Sequence, residues 1–281
     1  MIKSKGEKIF TKTATYTILI ACSIFSFFPF LWMLSTALKP DTEIYSTTPS
    51  FWSSQFSFQN FQEVLQESDF LIFFKNSFIV SLITTMIGLV IAVLAGYALS
   101  RYGRYKSIKF AGLSLTISQM VPGVLLLIPI YMIFKGLGLI NSYAALILAY
   151  STFVIPLSTF MMKGFFDSVP LSLEESAELD GASRFRTLVQ IILPVSIPSL
   201  VSTGLYTFVT AWNEYMFGYV LINDVAHRTL TPGITLFRGQ FTTDWGNLMA
   251  ASVLAVIPVT IIFVFLQRYL ISGLMSGAVK G

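Results

Sequence analysis

Six stretches of the chain run for about 20 residues each with almost nothing but apolar side chains. They lie at approximately Thr15–Leu38, Ser77–Ser100, Phe110–Phe134, Tyr143–Met162, Ile191–Trp212 and Met249–Gln267, and none contains Asp, Glu, Lys or Arg. A stretch of this length and polarity is what an α-helix needs to cross a bilayer. None alternates with period two, as the strands of an outer-membrane barrel would. The pattern predicts an all-α, polytopic membrane protein with six transmembrane helices. Two longer polar segments, residues 39–75 and 213–248, are too short to be domains, so residues 1–281 read as a single transmembrane domain.

The basic residues give that arrangement a direction, because Lys and Arg accumulate in cytoplasmic loops. One side receives Lys3, Lys5, Lys8 and Lys12, then Arg101, Arg104, Lys106 and Lys109, then Lys163, Arg184 and Arg186, and finally Arg268 and Lys280. The other side receives only Lys39, Lys75, Lys135, Arg228 and Arg238. Both termini are therefore expected in the cytoplasm. Leu19-Ile20-Ala21-Cys22 looks like a lipoprotein processing box, but the apolar run continues through Phe25, Phe27, Phe28 and Phe30. A retained first span is expected, with Cys22 a small apolar residue within it.

Composition narrows the function. Of 281 residues, 54% are hydrophobic and 11% charged, against roughly 25% charged in soluble domains. This disfavours a soluble enzyme, a disordered tail and a nucleic-acid reader, and makes the lipid bilayer the surroundings. One cysteine excludes an internal disulfide framework and a cysteine metal cluster. His227 is the single histidine and has no partner for a zinc site or a serine triad, so neither a metal nor a catalytic residue is expected. The Gly-rich phosphate loop with its Gly-Lys pair is absent, so no cofactor is expected on this chain and ATP must be bound elsewhere.

The most informative segment joins the fourth and fifth spans: Pro170-Leu-Ser-Leu-Glu-Glu-Ser-Ala-Glu-Leu-Asp180-Gly181-Ala182-Ser183, continuing to Leu193-Pro194 and Pro198. Ser172 with Glu175 fits a capping box, which predicts a helix from about Leu173. Gly181 is suited to the left-handed turn that ends it, and Ser183 to capping a second helix. Leu173, Ala177 and Val189 to Leu193 supply apolar contacts. The product is a stiff cytoplasmic knob presenting Glu174, Glu175, Glu178 and Asp180. A helix lying on anionic lipid would carry Lys and Arg there, so a protein with a basic groove fits better.

This segment resembles the "EAA" loop of permease subunits in binding-protein-dependent ABC importers. Glu175-Ser176-Ala177, Asp180-Gly181-Ala182, Leu193-Pro194 and Pro198 match in type and spacing, with Ser176 where the family usually has Ala. Leu38-Lys39-Pro40 with Glu43-Ile44, Asn76-Ser77, Gly96-Tyr97-Ala98-Leu99-Ser100-Arg101, Leu137 to Tyr143, Trp212-Asn213-Glu214 and Gln267-Arg268-Tyr269 resemble the sugar-importer branch. The ending Gly277 to Gly281 is similar to that of the second, maltose-type permease. The resemblance implies a subunit in a bacterial or archaeal cytoplasmic membrane. Its implied partners are a second, non-identical permease, two ATP-binding subunits, an extracytoplasmic solute-binding protein and a sugar. It implies a coupling loop of Glu174, Glu175, Ala177, Asp180, Gly181 and Ala182, in which Glu175 meets the ATPase and Gly181 sets the turn.

In the fifth span Ser199, Thr203, Tyr206, Thr210 and Asn213 recur at helical spacing and share one face. Such a face lines a solute pathway or glues packed helices. Pro122, Gly123 and Pro129 predict a kink or unwinding in the third span. Asn76, Ser77, Ser81, Thr84 and Thr85 read as packing residues, and Glu214 as a solvated charge at the span end. An importer permease for another solute (a polyol phosphate, peptide or amino acid) stays open. An ion-driven transporter is the remaining alternative, weakened by the lack of intramembrane carboxylates.

Overall fold

The computed structural model describes residues 5–239 and 241–278. Regular structure among them is helical, with one isolated antiparallel bridge between Arg238 and Thr243. In chain order the helices are α1 (Lys5–Ala37), α2 (Asp41–Ile44), α3 (Gln59–Gln66), α4 (Phe70–Tyr102), α5 (Lys106–Met120), α6 (Gly123–Gly136) and α7 (Tyr143–Ser168). There follow α8 (Leu171–Leu179), α9 (Arg184–Thr187), a π-helical turn at Leu188–Ile192, α10 (Leu193–Val195) and α11 (Ile197–Trp212). The last elements are α12 (Met216–Leu221), α13 (Leu230–Ile234), a short 3-10 turn at Thr235–Phe237 and α14 (Trp245–Ala278). Lys3, Lys280 and the end of the maltose-type tail, 279–281, lie outside the described residues.

Four stretches are long and apolar enough to cross a membrane: Phe10–Ala37, Phe70–Tyr102, Tyr143–Ser168 and Trp245–Tyr269. The third and fifth expected spans are each broken. Helices α5 and α6 meet at 104°, and Arg184–Val195 meets α11 at 81°. Local chemistry accounts for both breaks. A residue before proline is pushed out of the helical region, and Val121 before Pro122 has ψ 117°. Ser196 sits between Pro194 and Pro198, which supply no amide hydrogen to carry a helix through. The straight part of the fifth span is thus Ile197–Trp212, shorter than expected. The second and fourth spans are longer, because their helices extend past the apolar stretch to Tyr102 and Ser168.

The chain divides into two compact units. The first comprises Met1–Ser68 and Ile234–Val256. Asn60 is buried there and donates from Nδ2 to the carbonyls of Ala37 (3.0 Å) and Lys39 (2.9 Å), tying the end of α1 to α3. Lys39 is buried as well; its ammonium lies 5.5 Å from the Trp32 ring centre and donates to the Ser50 carbonyl. Glu43 accepts from the backbone and hydroxyl of Ser54, which holds its carboxyl below the usual range. The Leu38-Lys39-Pro40 and Glu43 signature is therefore a set of loop staples.

The second unit comprises Asp69–Gly233 and Ile257–Gly281, and its centre is the mutual packing of α4, α7 and α11. Small residues let these helices approach closely. A Cβ on Gly96 would lie 3.0 Å from the Thr159 carbonyl oxygen and the Lys163 nitrogen of α7. Ser158 and Thr207 share a buried hydrogen bond of 2.9 Å across α7 and α11. Asn76, Ser77, Ser81, Thr84 and Thr85 are all buried, in keeping with packing roles. Val80, Leu146, Tyr150, Ala211, Phe217 and Leu221 form one apolar cluster; Tyr97, Met162, Phe166, Leu188 and Ile192 belong to another.

Candidate coupling site and solute pathway

The loop after α7 folds into an elbow. Helix α8 begins at Leu171 with Pro170 as its N-cap, and no side chain caps it. The expected capping box does not form. Pro170 has φ −59° and ψ 133°, and its carbonyl already accepts the Leu173 amide, so the helix starts before Ser172. Ser172 instead lies inside the first turn, where its carbonyl accepts from the Ser176 hydroxyl at 2.8 Å.

At the other end Gly181 adopts φ +79°. Its amide donates to the Glu178 carbonyl (3.0 Å) and the Ala182 amide to the Ala177 carbonyl (2.9 Å). This pair of bonds is the Schellman closure, which satisfies carbonyls that a helix end otherwise strands. Ser183 then caps α9, its hydroxyl accepting the Arg186 amide at 3.4 Å.

The elbow presents a different surface from the one expected. Glu174 turns inward: its Oε1 accepts from Arg101 Nε at 2.6 Å and its Oε2 from the Tyr97 hydroxyl at 2.6 Å. Glu175, Glu178, Asp180 and Gly181 are exposed, Ala182 is half-buried and Ala177 is buried. Of the expected apolar contacts, Leu173 and Val189 are exposed, whereas Leu188 and Ile192 pack inward. Leu179 is 90% exposed and Phe185 69% exposed, flanking the turn with apolar surface. Sequence reading passed over these two, although two large apolar residues beside an acidic turn were visible in the chain. The elbow thus offers a small acidic and apolar knob.

The polar stripe of α11 divides. Ser199 and Thr203 are buried, with their hydroxyls on the Met162 sulfur at 3.9 and 3.6 Å. Tyr206 and Thr210 are half-buried and Asn213 is exposed. Thr210 lines a cavity of about 160 Å³ with Gly123, Tyr150, Phe153, Glu214 and Phe217, among others. Glu214 is half-buried at this cavity, not a solvated charge. It accepts the amides of Phe217 (2.9 Å) and Gly218 (3.0 Å) at the start of α12. Burial pushes its carboxyl above the usual range, and those amides pull it back. Among the described residues no group of three His, Cys, Asp or Glu is placed to hold a metal.

Residues 88–275 match the family described as "Binding-protein-dependent transport system inner membrane component". The diacetylchitobiose uptake system permease protein DasC of Streptomyces coelicolor is 37% identical over 90% of this chain and 92% of its own. The trehalose/maltose transport system permease protein MalG of Thermococcus litoralis is 36% identical over 93% and 94%. A crystal structure of a bacterial ABC transporter importing the acidic polysaccharide alginate is similar with TM-score 0.81. It is 19% identical and covers 96% of this chain and 99% of its own, which establishes a shared fold. The chain therefore belongs to the inner membrane components of binding-protein-dependent transport systems, and is a multi-pass membrane permease subunit of the ABC importer type, a transport component and not an enzyme.

Proposed function

We propose that this chain is one transmembrane permease domain of an ATP-driven sugar importer. It forms half of the translocation pathway beside a second, non-identical permease. Two ATP-binding subunits sit below it and an extracytoplasmic binding protein delivers the sugar from above. Each bent helix pair counts as one crossing, giving six, with both termini in the cytoplasm. The carrying observation is the elbow: a glycine turn at φ +79° holding Glu175, Asp180 and Leu179 out from the helical core. The names of the relatives, which concern chitobiose, trehalose and maltose, support a carbohydrate.

The solute side of this reading rests on Tyr206, Thr210 and Asn213, the accessible part of the α11 stripe. The polar groups of these side chains suit sugar hydroxyls, and Phe153 and Phe217 supply aromatic surface at the cavity. Ser199 and Thr203 belong to the helix interface at Met162.

The test is to tag the chain, extract it in mild detergent and identify what co-purifies, then to measure uptake of labelled sugars with and without it. Recovery of a second permease and an ATPase, with loss of sugar uptake on deletion, is the expected result. Recovery of the chain alone, under conditions that preserve other membrane complexes, would overturn the coupling role. Uptake defects confined to peptides, amino acids or phosphorylated polyols would overturn the sugar.

A further inference from the structure

Helix α8 has little apolar hold on the rest of the molecule, since Ala177 is its single buried residue. Its orientation depends on polar contacts, and these converge on Arg101 in the last turn of α4. The Arg101 and Glu174 side chains are 8% and 13% exposed, and Nε meets Oε1 at 2.6 Å. The Tyr97 hydroxyl takes the second carboxylate oxygen at 2.6 Å, so both oxygens of Glu174 are bound. Arg101 also donates from Nη2 to the Val169 carbonyl at 3.2 Å, at the junction of α7 and α8. Its Nη1 donates to the Ser100 hydroxyl (2.9 Å), which donates to Asp167 of α7 (2.6 Å). One guanidinium thus joins α4, the end of α7 and α8. Removing one member of such a shielded pair leaves the other charge uncompensated.

The helix that receives this joint suits transmission. Helix α4 carries no proline, and Gly96 sets it against the α7 backbone just before Arg101. Its 33 residues span about 50 Å at the α-helical rise. Near its start, Asn76 binds the carbonyls of Ala226 and Arg228 in the loop after α12.

We propose that Arg101 is a positioning residue for coupling. By holding Glu174 and the Val169 carbonyl, it locks α8 to α4, so that displacement of the elbow drives α4 as a rod and is not absorbed by the loop. This rests on the elbow receiving an ATPase. The clamp leaves Glu175 to meet the partner and assigns neighbouring Glu174 an internal task.

The experiment uses the reconstituted complex of all subunits with the binding protein and sugar, and reads uptake per ATP hydrolysed. With Arg101→Leu, the ATPase subunits should stay bound in wild-type amount while uptake per ATP falls at least tenfold. Glu174→Leu should match it, and the double variant should be no worse than either single one, because one joint is lost each time. Should Arg101→Leu fail to accumulate, Glu174→Gln serves the same comparison, since it keeps the side-chain shape and removes the charge. Unchanged uptake per ATP, or losses that multiply in the double variant, would overturn the clamp. An ATPase that fails to bind the wild-type chain would overturn the docking reading, and the clamp with it.

Discussion

The Tyr143 hydroxyl at the start of α7 donates to Asn76 Oδ1 on α4 at 2.6 Å. The Nδ2 of the same Asn76 spans the carbonyls of Ala226 (2.9 Å) and Arg228 (2.8 Å), and Ser77 next to it accepts the Leu230 amide at 2.7 Å. Two short sequence signatures thus hold one outer loop. Asn76→Leu strands two buried carbonyls, at about 1–3 kcal/mol for each group left unsatisfied. The purified chain should melt at a lower temperature, with earlier protease cleavage within 222–230. An unchanged melting temperature would contradict this anchoring.

Gly181 is required for its backbone and not for space, since nothing lies within 4 Å of a Cβ built there. Its φ of +79° is unfavourable for side chains, at roughly 1–2 kcal/mol. Gly181→Val should abolish uptake, Gly181→Ala reduce it, and Gly181→Asn retain most of it because Asn tolerates this region. Equal uptake by the Val and Asn variants would show that the turn is not needed.

Glu175 is exposed on α8. Glu175→Lys should leave the melting temperature of the isolated chain within about a degree, as surface changes away from packed features do. It should reduce ATPase co-purification several-fold by placing a cation against a basic groove. Normal recovery of the ATPase and normal uptake would remove Glu175 from the docking surface.

A side chain at Gly96 meets α7 backbone at 3.0 Å, with no flexible end to move away. Gly96→Val should cost at least about 1–3 kcal/mol through overpacking. Thermal unfolding in detergent would detect it, and a variant as stable as wild type would disprove the close crossing.

The two halves of the α11 stripe should respond differently to the same change. Thr203 is fully buried on Met162, so Thr203→Leu should lower the melting temperature. Thr210 faces the cavity beside Glu214, so Thr210→Leu should keep stability and reduce uptake. If Thr210→Leu transports normally, the cavity does not lie on the pathway.

Much of this was legible in the chain because it depends on local rules. Apolar length announced helices, the Pro and Gly of the third span announced its break, and Gly181 announced a turn that it makes at positive φ. The residues of the elbow matched a family pattern, and the family model covers 88–275. The capping box failed because Pro170 began the helix first.

The amino-acid sequence by itself determined the solvent, the helical class and the family, since each follows from composition, periodicity or short spacing. Only the tertiary structure decided which way each polar group faces. Glu174 and Glu175 are neighbours of identical chemistry, yet one is bound to Arg101 and the other is exposed, because a helix turns adjacent side chains about 100° apart. Arg101 and Glu174 are 73 positions apart in the chain, and their meeting depends on the crossing of α4 and α7 at Gly96. Ser199, Thr203 and Thr210 share one helical face, but Met162 covers the first two and a cavity opens beside the third. Periodicity assigns a residue to a face of its own helix; what that face meets is set by helices distant in sequence.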